Sequence, residues 1–258
     1  MVALLEVKDL TKAFGGVTAI ADLHFKVPEN KVYSVIGPNG AGKTTLFNML
    51  SGIYHPDEGS IRFLDQEIIG KEPHAVAEMG LSRTFQNLQM FFNMTVLDNV
   101  LVGCHLRTHS GLFSAAFRLP SVIREERVAR QWAEEALAFC GLEEYSRQHA
   151  DALPYGVLKR IEIARALAVQ PKLLLMDEPA AGLNDTETLE MRSLIRRISE
   201  SGITVLLVEH NMGLVMQVSD RILVLDYGSR LAEGTPEEIQ NNPQVIEAYL
   251  GGEVQYAV

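Results

Sequence analysis

Gly37-Pro38-Asn39-Gly40-Ala41-Gly42-Lys43-Thr44-Thr45 is the stretch from which the rest of the chain can be read. Its form, G-x-x-x-x-G-K-[ST], is a phosphate-gripping loop, and it stands where such a loop must stand. The strand-like run Val32-Tyr33-Ser34-Val35-Ile36 leads into it, and an amphipathic helical stretch, Leu46-Phe47-Asn48-Met49-Leu50, leaves it. Glycines are needed because backbone N–H groups must wrap closely around phosphate oxygens, in conformations that a side chain resists. Lys43 then reaches toward the β- and γ-phosphates, and Thr44 offers a hydroxyl to Mg2+. A helix beginning near Lys43 points its positive end at the anion. The loop predicts a nucleoside triphosphate as ligand.

Bulk composition is ordinary for a globular protein, with 47% hydrophobic and 22% charged residues. A chain of 258 residues has room for one large α/β domain or two modest ones. The net charge of −10 argues against a nucleic-acid partner, which needs a basic stripe. The basic cluster from Arg124 to Arg130 is interrupted by Glu125 and Glu126 and reads as a solvated helix face. Cys104 and Cys140 lack metal-ligand spacing and read as buried small hydrophobes, in keeping with a reducing cytoplasm. No run approaches the roughly 18 apolar residues of a spanning helix, and no secretory signal is seen. A membrane role is therefore expected to be peripheral, through a partner.

Along the chain, Leu4-Leu5-Glu6-Val7 and 19–27 alternate as strands do, with Gly15-Gly16 as the turn between them. Pro56-Asp57-Glu58-Gly59 turns into the strand Ser60-Ile61-Arg62-Phe63, and a last strand-like stretch runs from Gly80 to Gln86. From Thr95 to about Tyr145 the period is helical, with Val128, Trp132, Ala136 and Phe139/Cys140 about four residues apart. Residues 105–120 interrupt it as a loop or short helices. Continuous apolar runs at 172–176, 203–208 and 222–225 read as strands buried on both faces of a parallel sheet, with a helix at about 185–199. Short helices, 236–239 and 243–250, close the chain. The expected organisation is α/β: a discontinuous nucleotide-binding core at 1–86 and 159–235, a helical insert at 87–158, and a helical tail at 236–258.

Further elements gather around the loop. Leu173-Leu174-Leu175-Met176-Asp177-Glu178 is an apolar strand ending in two carboxylates. Asp177 is expected beside the loop, holding Mg2+ through its water shell, and Glu178 toward the γ-phosphate, polarising a water. His210, after another buried strand, should emerge on the same sheet edge as a γ-phosphate contact. Gln86, at the start of the insert, could reach Mg2+ or the attacking water from the other side. A turn at Leu153-Pro154-Tyr155-Gly156-Val157 launches a helix with Ile161, Ala164 and Leu167 at helical spacing, and Pro154 suits a first helical position.

In this order and spacing the set resembles the ATP-binding subunits of ABC transporters, over essentially the whole chain. The resemblance implies a RecA-like P-loop core with an antiparallel β subdomain and a helical insert. It makes Gly37–Thr45 the Walker A loop, Gln86 the Q-loop, Leu153–Val157 the signature, Leu173–Asp177 Walker B, Glu178 the catalytic glutamate, Ala181–Asn184 the D-loop and His210 the switch histidine. Phe14 matches the aromatic that stacks on adenine. ATP with Mg2+ would lie between this chain's Walker A and the signature of a second ATPase, and this chain's own signature residues Pro154, Tyr155 and Gly156 would face the second ATPase's nucleotide.

Asn99-Val100-Leu101-Val102-Gly103, Pro179–Asn184, 234–251 and the long insert between Gly103 and Gly141 are similar to the larger ATPase of branched-chain amino-acid importers. That likeness implies a heterodimer with a sister ATPase, two membrane permeases, indirectly a solute-binding protein, and a place on the cytoplasmic face of the inner membrane. Asn87–Met94, unusually apolar for a loop, is a candidate groove for a permease helix, or core packing. The signature departs from the usual Leu-Ser-Gly-Gly-Gln at Pro154, Tyr155 and Val157, and Asn184 stands where Asp is usual. Other readings stay open: a lipid or lipopolysaccharide exporter ATPase, a non-transport ABC-type ATPase, and a P-loop kinase or GTPase. The last lacks GTPase specificity elements and has no use for the signature segment.

Overall fold

The computed structural model describes residues 3–86, 88–107 and 120–254. The chain opens with β1 (Ala3–Phe14) and β2 (Val17–Pro28), an antiparallel hairpin turning at Gly15-Gly16, followed by β3 (Val32–Ile36). Helix α1 (Lys43–Leu50) leaves the phosphate loop, then come β4 (Glu58–Phe63), β5 (Gln66–Glu67), α2 (Pro73–Glu78) and β6 (Leu81–Arg83). Helices α3 (Val96–Gly103), α4 (Pro120–Phe139) and α5 (Tyr155–Leu167) pack on one another. After them run β7 (Leu173–Asp177), α6 (Asp185–Glu200), β8 (Thr204–Val208), α7 (Met212–Val218), β9 (Arg221–Asp226) and β10 (Ser229–Gly234). Helices α8 (Pro236–Gln240) and α9 (Pro243–Val254) follow.

Two sheets result. One is antiparallel, ordered β2-β1-β4-β5; the other, β10-β9-β3-β8-β7-β6, is parallel except for β10 at its edge. Side chains alternate across a strand, so each central strand feeds two cores. In β7, Leu173 and Leu175 join Leu5, Ile20, Phe25 and Phe47 beneath the antiparallel sheet, whereas Leu174 and Met176 join the helical core of Val100, Ala133, Ile161 and Ile195. A smaller cluster, with Ile36, Ile222 and Val224, is covered by Ile239 and Val245 of α8 and α9. Among the described residues no helix is long and apolar enough to cross a membrane.

Several local expectations shift. The strand at 80–86 ends at Arg83, because the Phe85 N–H is claimed by the Glu162 carboxylate at 3.0 Å instead of a ladder partner. Pro154 is the N-cap of α5 rather than its first helical residue, and its carbonyl accepts from Val157 and Leu158 N–H. Helix α4 buries Ala136 and, just past its end, Cys140 as expected, but beside them Ala129, Ala133 and Leu137 rather than Val128, Trp132 and Phe139; the small residues permit a closer approach. Of 105–120, the start is a 3-10 turn, Cys104–Arg107, and 108–119 lie outside the described residues. The division expected at 158/159 falls within α5. Helix α2, helix α7 and β10 were not anticipated, although Pro73 and the Asn211 cap mark two of them.

Candidate functional site

The phosphate loop joins β3 to α1 and is backed by two other strands. A Cβ on Gly37 would lie 2.1 Å from the Leu225 carbonyl oxygen, so only glycine lets the loop pass this close to β9. Lys43 is 7% exposed, and its ammonium donates to the carbonyls of Gly37 (2.7 Å) and Pro38 (2.9 Å). Burial lowers its pKa, opposed by the charges of Glu178 and Asp177. Pro38, Asn39, Gly40, Ala41 and Gly42 complete the curl, with Thr44 exposed and Thr45 half-buried in the first turn of α1.

Asp177 ends β7 and is 4% exposed. Its Oδ2 accepts from Arg83 Nη2 at 3.0 Å, an ion pair between nearly buried partners. Burial raises the Asp177 pKa, and the Arg83 hydrogen bond and charge hold it down. Glu178, one residue on, has φ +49, and its N–H donates to the Val208 carbonyl of β8. Its carboxylate accepts from Gln86 Nε2 at 3.0 Å and lies 2.8 Å from His210 Nε2. The strand order β6-β7-β8 thus brings together Gln86, Glu178 and His210, as the sequence suggested.

Beneath this cluster, Glu209 is buried. It accepts from Ala180 N–H at 2.8 Å with one oxygen, and with the other from His210 (2.8 Å) and Asn211 (3.1 Å) N–H groups. It ties the His210 turn to the segment after Glu178. Helix α5 grips the Gln86 segment from the opposite side: buried Lys159 donates to the Gln86 carbonyl (3.2 Å), Glu162 holds Phe85 N–H, and Arg165 donates to Gln89. Arg83, Glu209, Lys159 and Glu162 belong to none of the expected site residues; their one mark in the sequence is charge beside apolar neighbours.

The remaining expected residues lie apart from the Glu178 cluster. Phe14, at the end of β1, is 43% exposed and meets Tyr54 edge-to-face at 5.3 Å, with Lys12 Nζ 5.3 Å from its ring centre. Pro154 and the exposed Tyr155 open α5, and a Cβ on Gly156 would lie 2.4 Å from Glu187 Oε1 of α6. The signature turn therefore rests on the helix that follows Asn184, whose own side chain caps α6 in a reciprocal pair with Glu187.

Residues 20–181, which span the loop, Gln86, the signature turn and both carboxylates, match the family model for ABC transporters. The chain belongs to the ABC transporter family. The cassette also matches, over 229–255, a model described as branched-chain amino acid ATP-binding cassette transporter. It is 47% identical to the high-affinity branched-chain amino acid transport ATP-binding protein BraF of Pseudomonas aeruginosa, covering 96% of this chain and 98% of that protein. Identity to LivG of Escherichia coli, named in the same terms, is 46% with the same coverage. Among solved structures it is similar to a nucleotide-free ATP-binding cassette from an ABC transporter (TM-score 0.84, 34% identity, 96% and 99% covered). An ABC transporter cassette in its ADP conformation gives TM-score 0.85 at 31% identity, with 97% and 100% covered.

Proposed function

We propose that this cassette is the ATP-binding and ATP-hydrolysing subunit of an importer for branched-chain or related hydrophobic amino acids. The observation that carries the hydrolytic part is Glu178, held between Gln86 and His210 on the turn after Asp177. A carboxylate with both oxygens engaged keeps one orientation, which suits a base that takes a proton from water as its oxygen attacks the γ-phosphorus. The bond to the ADP oxygen breaks in the same in-line displacement. Lys43 offsets charge on the phosphate oxygens, and Phe14 offers adenine a ring face.

The oxygen donors present suit Mg2+, a hard cation that prefers them. Thr44 would provide a hydroxyl, Asp177 its Oδ1, which lies outside the bond to Arg83, and Gln86 its side-chain Oε1, since its Nε2 donates to Glu178. When bound, Mg2+ neutralises charge on the β- and γ-phosphate oxygens.

Pro154, Tyr155 and Gly156 would serve the nucleotide of a second ATPase, so each pocket is shared and closure of the pair completes it. The core at 1–86 and 159–235, the insert at 87–158 and the tail at 236–258 would then divide hydrolysis from coupling. Buried Asn99 accepts from the Phe91 N–H and donates to its carbonyl, and Phe91 and Phe92 stay exposed. That display supports this segment as the seat of a permease helix at the cytoplasmic membrane face, although Met90 packs toward the core. Asn87 lies outside the described residues.

The test is reconstitution with the sister ATPase, both permeases and the binding protein in vesicles. ATP-dependent accumulation of leucine, isoleucine or valine is expected, abolished by Glu178→Gln. Vesicles that hydrolyse ATP yet accumulate none of these would refute the importer. Full-speed hydrolysis by the isolated chain as a monomer would refute the shared pocket.

A further inference from the structure

Arg83 stands at the end of β6, level with Leu175 of the neighbouring strand, and its side chain is only 8% exposed. Nη1 donates to Asn48 Oδ1 at 2.8 Å and Ser51 Oγ at 3.0 Å, while Nη2 donates to Asp177 Oδ2 at 3.0 Å. The rings of Phe47 and Phe85 lie 5.6 and 5.4 Å from its central carbon. Its Nε is buried with no acceptor among the described residues. An unpaired buried donor is unfavourable. The placement is therefore set by what the Nη groups hold.

Those groups bridge two elements. Asn48 lies in α1 and Ser51 caps its end, the helix whose first turn carries Thr44; Asp177 ends β7. A guanidinium is planar and its donors form a fixed fork, so it acts as a rigid spacer where a lysine would not. Arg83 thus engages Oδ2 of the Asp177 carboxylate and leaves Oδ1 outside that bond.

We infer that Arg83 is a positioning residue for Mg2+: it orients Asp177 and, through Asn48 and Ser51, holds that carboxylate in register with the Thr44 hydroxyl. The inference rests on the reading that Thr44 and Asp177 hold Mg2+. Outer-shell partners of metal ligands change metal affinity by roughly 10–100-fold when removed.

The test uses the full chain and a fluorescent, non-hydrolysable ATP analogue, titrated with Mg2+ after measurement in EDTA. Arg83→Met is expected to leave affinity in EDTA unchanged but raise the Mg2+ concentration for half-maximal binding about tenfold. Arg83→Lys, which restores charge without the fork, should recover part of the loss. Asn48→Ala removes an anchor while keeping the ion pair; it should shift the Mg2+ requirement the same way by less, and it serves if Arg83→Met fails to fold. Equal weakening with and without Mg2+ would mean a merely structural arginine and overturn the inference. An unchanged or lowered Mg2+ requirement in the Arg83 and Asn48 variants would overturn it too. Asp177→Asn separates the levels. If it raises the requirement and the Arg83 variants do not, Arg83 alone is misassigned; if it changes nothing, the Mg2+ reading falls as well.

Discussion

His210 Nε2 lies 2.8 Å from Glu178 Oε1, and the other Glu178 oxygen accepts from Gln86 at 3.0 Å. Side chains from the ends of β6, β7 and β8 thus fix one carboxylate at both oxygens. Glu178→Gln keeps the shape and removes the base. Nucleotide binding should persist while turnover by the assembled pair drops by about 10²–10⁴-fold, with a long-lived closed dimer visible by size-exclusion chromatography in ATP. Normal turnover in that variant would strip Glu178 of its role.

Phe14 is exposed, meets Tyr54 edge-to-face and has Lys12 Nζ 5.3 Å from its ring centre, and the proposed adenine contact would have to share the ring with them. Phe14→Ala should weaken ATP binding by about 1–2 kcal/mol, and Phe14→Trp should restore it, measured by fluorescent nucleotide displacement. If only Tyr54→Ala weakens binding, adenine rests on Tyr54 instead.

Pro154 caps α5 without a side-chain hydrogen bond, so the first turn has no hydroxyl or carboxylate acceptor there. Pro154→Ser supplies one. We expect the chain to gain about 1 kcal/mol in stability by thermal melting, and the composite site that uses this signature to turn over faster. An unchanged ATPase rate in the assembled pair would show that the missing hydroxyl at position 154 does not limit that site.

Cys140 is buried, and burial pushes its thiol from 9.0 up to about 12. The folded state therefore binds the proton more tightly than the unfolded one. This stability is fully present below pH 9 and is lost as pH rises toward about 12. Denaturant titrations should show a shallower alkaline decline for Cys140→Ala than for the parent chain. Native chain at pH 8 should not react with a thiol reagent at Cys140; prompt reaction would show the site to be open.

Much of the fold was legible because local rules govern it. The runs 172–176 and 203–208 read as doubly buried strands and are β7 and β8 within a residue at each end. The phosphate loop, its flanking strand and its helix lie where spacing put them. The edge strand at 80–86 came out short because a carboxylate from α5 takes the Phe85 N–H. Along α4 and at its end the expected Ala136 and Cys140 are buried, while Ala129 and Ala133 take the places expected for Val128 and Trp132.

The sequence by itself determined the phosphate loop, the paired carboxylates at a strand end and the two-faced strands of the central sheet, since each is written in residue type and spacing along a short segment. Only the tertiary structure decided that Arg83 meets Asp177, that Glu209 underpins His210, and that Lys159 and Glu162 grip the backbone around Gln86. Those pairs lie 94, 1, 73 and 77 positions apart. For the distant ones, contact depends on the order β3-β8-β7-β6 and on the packing of α5 beside it, which no local pattern records.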